Sequence, residues 1–184
     1  MDDILNILSK MQKVGRPIAL YSNLQDTDQF AVGIVCAVND EDVLLYAISP
    51  NGSYDGYQTI PCTDIYMVCT DGEYEKELER VFSVQQISKP MWHPIETNLR
   101  LALLRRAKEK DYVVSLEIGK SGNYDIQGKV TAVSDETVSV DAYDDSGYSG
   151  NYIIDIRRIS EVVADSSDER MLEEYFKKKK SGSK

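Results

Sequence analysis

Apolar residues in this chain recur with two periods, one typical of short helices and one typical of short strands. Near the start, apolar positions follow at three- and four-residue steps, and Gly15 is placed to end a helix there; these positions are Ile4, Leu5, Leu8 and Met11. Short apolar runs separated by polar turns follow at residues 18–24, 30–38, 43–48, 58–62 and 64–69. A further helix then carries Tyr74, Leu78, Val81 and Phe82 on one stripe. The pattern therefore predicts a helix, five short strands and a second helix.

This plan is used twice. The stretch GIVCAVNDEDV at residues 33–43 recurs as GKVTAVSDETV at residues 128–138, with seven of eleven positions identical. Such internal similarity is typical of a structural unit that has been duplicated. We therefore predict a first helix-barrel-helix unit over residues 1–82, a connector over 83–93, a second unit over 94–176 and a disordered basic tail over 177–184.

Two features of the repeat make specific structural predictions. Gly33 and Gly128 stand inside strand-like runs, where glycine permits a bend or the close approach of another backbone. Pro94 suits the first position of the helix that leads the second unit, and the pattern places Ile95 and Leu99 on its inner face. The fold class predicted is mainly β with flanking helices.

Charge is shared unevenly between the halves. The net charge is −10. Residues 1–82 hold 5 Lys and Arg against 14 Asp and Glu, which gives −9, and residues 83–184 hold 16 against 17, which gives −1. A nucleic-acid backbone would be repelled by the net charge of the first unit and barely affected by that of the second.

The chain carries few residues that could perform catalysis. Its three cysteines, Cys36, Cys62 and Cys69, are odd in number and lie in apolar runs, which is typical of reduced core thiols in a cytoplasmic protein. His93 is the only histidine. No phosphate-binding loop, metal-ligand cluster or serine nucleophile motif is recognisable. We expect no catalytic residues, no metal and no cofactor, and no apolar run long enough to span a membrane.

The leading helix, the five short strands with a bent second one and the acidic turn after it resemble the Sm and Sm-like family. The eukaryotic members of this family and their bacterial Hfq relatives form RNA-binding rings. The resemblance implies two tandem Sm-like open five-stranded antiparallel barrels and rests on the pattern around residues 30–33 and 125–128. Of the family's RNA-contacting positions between the last two strands, the second unit keeps arginine at Arg157 and Arg158. Pro61 and Asp155 discourage edge pairing of the fourth strands, which leaves a homo-oligomer open but argues against ring assembly.

Two corresponding loops are the first candidates for a binding site. They combine tyrosines with flexible glycines, a composition that suits protein recognition. The predicted partner-binding residues are Tyr54, Asp55, Gly56 and Tyr57 in the first loop and Tyr148, Gly150 and Tyr152 in the second. The alternative interpretation is that one tyrosine in each loop closes the barrel end and the rest is turn chemistry.

RNA binding by the second unit is the second hypothesis. It uses basic residues of the leading helix and of the turn between the last strands: Arg100, Arg105, Arg106, Arg157 and Arg158. The sequence thus predicts an interaction protein, with a protein partner as the first expectation and RNA as the alternative.

Overall fold

A computed structural model describes residues 2–84 and 91–182. The protein is mainly β, with helices flanking the strands, as the sequence predicts. The chain divides into two compact units, residues 1–99 and residues 100–184. Part of the predicted connector, residues 85–90, lies outside the described residues. In the described part of the chain, no helix is both long enough and apolar enough to cross a membrane.

The first unit contains two helices and five antiparallel strands. They are α1 (Asp2–Val14), β1 (Ile18–Tyr21), β2 (Ala31–Val38), β3 (Asp42–Ile48), β4 (Tyr54–Pro61), β5 (Met67–Cys69) and α2 (Glu73–Val84). Within this unit the strands lie in the order β5-β1-β2-β3-β4.

The second unit follows the same plan. It contains α3 (Leu99–Lys110), β6 (Val113–Ile118), β7 (Ile126–Val133), β8 (Thr137–Asp144), β9 (Gly147–Asp155), β10 (Ile159–Ala164) and α4 (Ser167–Gly182). A single 3₁₀ turn, Ile156–Arg158, separates its last two strands. Within this unit the strands lie in the order β10-β6-β7-β8-β9.

The central strand pairs of the two units have the same register. Gly33 pairs with Ala47 in the first unit, and Gly128 pairs with Ala142 in the second. Both members of the second pair lie 95 residues after their counterparts in the first. One residue is left out of the ladder between Val35 and Ala37, and likewise between Val130 and Ala132. This β-bulge adds twist to the strand at the same point in both units.

Helix α1 supplies one side of the first core. Leu8 and Met11 are buried among strand residues, with Ile4 and Leu5 packed beside them. The amide of Gly15, which has a positive φ of 70°, donates to the carbonyl of Met11 and ends the helix. The strand residues of this core are Ile18, Leu20, Val35, Val43, Leu45 and Ile60, with Cys62 and Ile65.

Two predicted helix boundaries are wrong. Helix α3 begins at Leu99 and not at Pro94, and Ile95 is fully exposed. The Asn39 side-chain amide donates a hydrogen bond of 2.5 Å to the Thr97 carbonyl, just before the start of α3. At the other end of the second unit, the tail predicted to be disordered from residue 177 is helical as far as Gly182.

Candidate functional site

The two predicted tyrosine-glycine loops are strands in the structure. Strand β4 begins at Tyr54 and strand β9 at Gly147, so all seven predicted partner-binding residues are strand residues. The connecting turns are shorter than predicted because local hydrogen bonds close them. In the first unit the Gly52 amide donates to the Ser49 carbonyl at 2.8 Å, and in the second the Ser146 amide donates to the Asp144 carboxylate at 2.7 Å.

In the first unit these tyrosines belong to a packed aromatic cluster. Tyr57 is only 2% exposed, and its ring lies 5.8 Å from that of Tyr46 and 5.7 Å from that of Trp92. The Tyr57 hydroxyl accepts a hydrogen bond of 3.0 Å from the Trp92 amide. Tyr54 completes the cluster, 4.7 Å from Tyr46. Burial raises the pKa of Tyr46 to about 12, with Tyr57 and Cys36 adding to the effect. Tyr57 therefore stabilises the fold and offers almost no surface to a partner.

In the second unit the corresponding strand is at the surface. Tyr148 is 58% exposed, Tyr152 42% and Ile153 73%. The Tyr148 ring packs edge-on against Tyr143 at 5.7 Å, and Tyr143 stacks on Phe176 of α4 at 4.3 Å. These contacts restrain Tyr148 before any partner arrives. Gly150 has a φ of 139°, which glycine tolerates, at the irregularity between Ala142 and Tyr143 in the ladder.

Sequence reasoning missed Ile153, the most exposed apolar side chain of this strand. The missed signal lies in the pairing register. Tyr46 pairs with Tyr57 in the first unit, and the corresponding pair in the second is Asp141 with Asn151. The interior position that tyrosines occupy in the first unit is therefore polar in the second. Comparing β4 with β9 by pairing register, and not by loop composition, would have shown that one is buried and the other exposed.

The arginines of the RNA hypothesis are brought near acceptors of their own unit. Arg105 forms a 2.7 Å ion pair with Asp135, and Arg100 donates to the Ile159 carbonyl at 2.6 Å. Arg157 forms a 2.7 Å ion pair with Asp155. The Arg157 side chain, and then its backbone amide, lower the pKa of Asp155 to about 2.

The two other predicted RNA contacts differ from each other. Arg106 is half-buried, whereas Arg158 is exposed and its carbonyl accepts from the Gly119 amide at 2.8 Å. Several arginine heads are therefore directed at oxygens of the protein itself. A phosphate would have to compete with these oxygens for them.

The cysteines are buried or half-buried. Burial, with Asp42 and Asp40 adding to it, raises the pKa of the Cys62 thiol to about 12. The His93 ring nitrogen Nδ1 lies 3.0 Å from the carbonyl oxygen of Cys36. Burial thus keeps the Cys62 thiol protonated at neutral pH, and a protonated thiol is a poor nucleophile.

Within residues 2–84 and 91–182, no group of three or more His, Cys, Asp or Glu side chains is arranged to hold a metal ion. Of the predicted site residues, the two tyrosines on strand β9 are therefore exposed. Tyr54 and Tyr57 pack within the first unit, and Arg100, Arg105 and Arg157 bond to oxygens of the second. Comparison of the chain with protein-family models, with curated proteins and with solved structures gave no match.

Proposed function

We propose that this chain is a non-catalytic interaction module of two tandem Sm-like five-stranded barrels, and that it binds an extended segment of a protein partner along strand β9. The observation that carries the proposal is the nine-residue strand β9 with its exposed Tyr148, Tyr152 and Ile153. Among the described strands, β9 pairs only with β8.

The Sm-like part of the proposal is supported by strand order and register. Each unit has a leading helix, five antiparallel strands in corresponding order and a closing helix. The central pairs correspond at a constant separation of 95 residues, including the bulge. Duplication of one barrel would produce this correspondence.

An edge strand is a template for pairing because its outward N–H and C=O groups lack partners in the sheet. Natural edges are usually protected by charges, by proline or by shortness. Strand β9 carries no proline, and its one charged residue, Asp155, stands at its end and is paired with Arg157. By contrast, β5 of the first unit is only three residues long. A partner strand laid along β9 would satisfy these groups and cover the apolar side chains.

The chemistry of the partner follows from the surroundings of β9. Tyrosines supply a large contact area at a small loss of conformational freedom, and Tyr148 is already held by Tyr143. Asp144 ends β8, Asp145 stands in the turn before β9, and Asp155 ends β9. An extended segment with apolar and basic side chains is complementary to this strand.

Residue-level amide exchange tests the proposal directly. A peptide selected from a display library for binding to the full chain is expected to slow the exchange of β9 amides. The double variant Tyr148→Ser, Ile153→Ser should lose at least about tenfold in affinity for that peptide. Met171→Ser, which removes an apolar side chain of α4 that is 66% exposed, is the matched control and should bind normally. Unchanged exchange in β9, or full affinity in the double variant, would overturn the proposal.

RNA binding by the second unit is the alternative, with Arg100, Arg105, Arg106, Arg157 and Arg158 as its contacts. Filter binding of single-stranded RNA to the full chain at low salt decides between the two. Retention that falls steeply as salt is raised would favour RNA, because released counterions drive such binding. Absence of retention would remove this alternative.

A further inference from the structure

A second exposed surface lies on the first unit, away from β9 in the sequence. We call it the aromatic face and define it by Tyr21, Phe30, Tyr66, Met67 and Tyr74. The ring of Tyr21 lies 5.2 Å from Phe30 and 6.3 Å from Tyr66, and Phe30 lies 5.6 Å from Tyr74 in an edge-on arrangement. Met67 is paired with Tyr21 between strands β5 and β1. Four aromatic rings thus form one continuous chain of contacts.

The aromatic face is open to solvent. Phe30, Tyr66, Met67 and Tyr74 are each between 37% and 45% exposed, and Tyr21 is half-buried. The Tyr66 hydroxyl donates to the Thr27 carbonyl at 3.4 Å, which fixes the ring against the loop between β1 and β2. Several large apolar side chains exposed side by side mark an interaction surface more often than scattered single ones.

The second unit shows that the fold does not require this surface. The β-sheet pair Tyr21 with Met67 corresponds in register to the pair Glu117 with Glu161. At every remaining position of the aromatic face the second unit is also polar: Asp125 for Phe30, Ser160 for Tyr66 and Asp168 for Tyr74. The same strand and helix positions therefore tolerate charged and small polar residues. The aromatic rings at these positions are therefore particular to the first unit and are not a requirement of the shared fold.

Negative charge surrounds the aromatic face. The first unit carries 14 acidic residues against 5 basic ones over residues 1–82. Asp26 and Asp28 are exposed in the loop that holds Tyr66. Burial raises the pKa of the Tyr21 hydroxyl, and Glu75 and Asp28 contribute to the effect. Burial and then Glu75 raise the pKa of Tyr74 in the same direction. A cation is attracted to the π face of an aromatic ring, and the nearby carboxylates add to this attraction.

We infer that the aromatic face binds a basic, extended segment of a partner protein, with arginine or lysine side chains laid across the rings of Phe30, Tyr66 and Tyr74. The alkyl stem of each basic side chain covers apolar ring surface, and its cationic head faces Asp26 and Asp28. Charge complementarity selects this occupant, because an acidic or neutral segment gains nothing from the surrounding carboxylates. This site is separate from strand β9, so either proposal can fail without the other.

Fluorescence anisotropy with a labelled peptide of alternating arginine and glycine tests the inference on the full chain. We expect saturable binding that weakens as salt is added, and no binding of the corresponding glutamate-glycine peptide. The triple variant Phe30→Leu, Tyr66→Leu, Tyr74→Leu keeps apolar area but removes the π faces. It should weaken binding roughly tenfold or more. Asp26→Asn with Asp28→Asn changes only exposed loop carboxylates and should weaken binding severalfold.

Controls separate the aromatic face from other exposed tyrosines and from misfolding. Tyr175→Leu makes the same chemical change on α4, at a tyrosine of similar exposure, and should leave the affinity for the arginine-glycine peptide unchanged. Thermal melting checks that each variant is folded. If the triple variant is unfolded, the Asp26→Asn, Asp28→Asn variant provides the test in its place. Absence of binding by the wild-type chain would overturn the inference. Wild-type affinity in both the triple variant and the Asp26→Asn, Asp28→Asn variant would also overturn it. So would binding of a leucine-serine peptide as tight as that of the arginine-glycine peptide. Self-association of the wild-type chain that the triple variant abolishes would assign the face to a second copy instead.

Discussion

The strand backbone around Tyr46 leaves no room for a side chain at Gly33. A Cβ atom on Gly33 would lie 2.3 Å from the Tyr46 carbonyl oxygen, well inside van der Waals contact. Gly128 has the same relationship to Asp141, with a distance of 2.1 Å. Neighbouring strand backbones cannot separate without breaking their ladder, so glycine is required at both positions. The need for glycine is therefore shared by the strand pair β2 and β3 and the corresponding pair β7 and β8.

Alanine at either glycine should therefore destabilise its unit. We expect Gly33→Ala and Gly128→Ala to lower the free energy of unfolding by about 1–3 kcal/mol each, because a methyl group must displace backbone. Urea denaturation followed by circular dichroism measures the change. Gly147→Ala is the control, since its positive φ is strained but no atom lies within 4 Å of the added Cβ. Gly33 has no positive φ, so a negligible loss there would show that the strands accommodate the methyl group beside Tyr46.

Two tyrosines that looked equivalent in sequence should differ sharply when truncated. Tyr57→Ser removes a ring buried against Tyr46 and Trp92 and should cost about 3 kcal/mol of unfolding free energy. Tyr148→Ser removes an exposed ring and should cost less than about 1 kcal/mol. Chemical denaturation of the two variants under one set of conditions makes the comparison. Similar losses in both would contradict the assignment of Tyr57 to the core.

The strands were predictable because their signals are local. Apolar runs bounded by polar turns locate β2, β3, β7 and β8, and the repeated glycine marks the close approach between them. The start of α3 was not predictable in this way. Pro94 and Ile95 satisfy the local rules for a helix start, but a hydrogen bond from Asn39, distant in sequence, holds the Thr97 carbonyl. Contacts between distant residues decide such boundaries.

The two proposed binding surfaces depend on the pairing register of the strands, which amino-acid composition does not reveal. The tyrosines at the start of β4 and β9 share a composition, yet Tyr57 lies opposite Tyr46 whereas Asn151 lies opposite Asp141. The aromatic face was missed for the same reason. Its members come from β1, the residue before β2, the segment at β5 and the start of α2, and no short window of sequence contains them.

The buried thiol of Cys62 should make stability depend on alkaline pH. Its pKa is raised from an ordinary 9.0 to about 12 in the folded protein, foremost by burial. The folded state therefore keeps a proton that the unfolded state releases, so the contribution to stability is complete below pH 9 and is lost as pH rises toward 12. We expect the urea midpoint of the wild-type chain to fall faster than that of Cys62→Ala between pH 8 and about pH 10. Parallel pH profiles for the two proteins would contradict this.

Glu169 is buried, and removing its carboxylate should damage both a helix start and a strand. Its two oxygens accept hydrogen bonds from the Ser115 hydroxyl at 2.7 Å and the Ser166 amide at 3.1 Å. The Ser166 hydroxyl accepts in turn from the Glu169 amide at 3.5 Å, which makes a reciprocal cap at the start of α4. Glu169→Ala leaves the buried Ser115 hydroxyl without this acceptor, although Gln127 still donates to it at 3.0 Å. We expect a loss of about 2–3 kcal/mol in the free energy of unfolding.

Conservative and surface variants show whether the hydrogen bonds of Glu169 are the cause. Glu169→Gln keeps one acceptor oxygen and nearly the same volume, so it should cost less than Glu169→Ala. Glu174→Ala removes an exposed carboxylate of the same helix, paired with the exposed Lys177, and should change stability by no more than about 0.5 kcal/mol. Equal losses for Glu169→Ala and Glu174→Ala would mean that helix propensity or net charge governs the effect. A full loss in Glu169→Gln would instead show that both oxygens are needed, because Ser115 and Ser166 each occupy one of them.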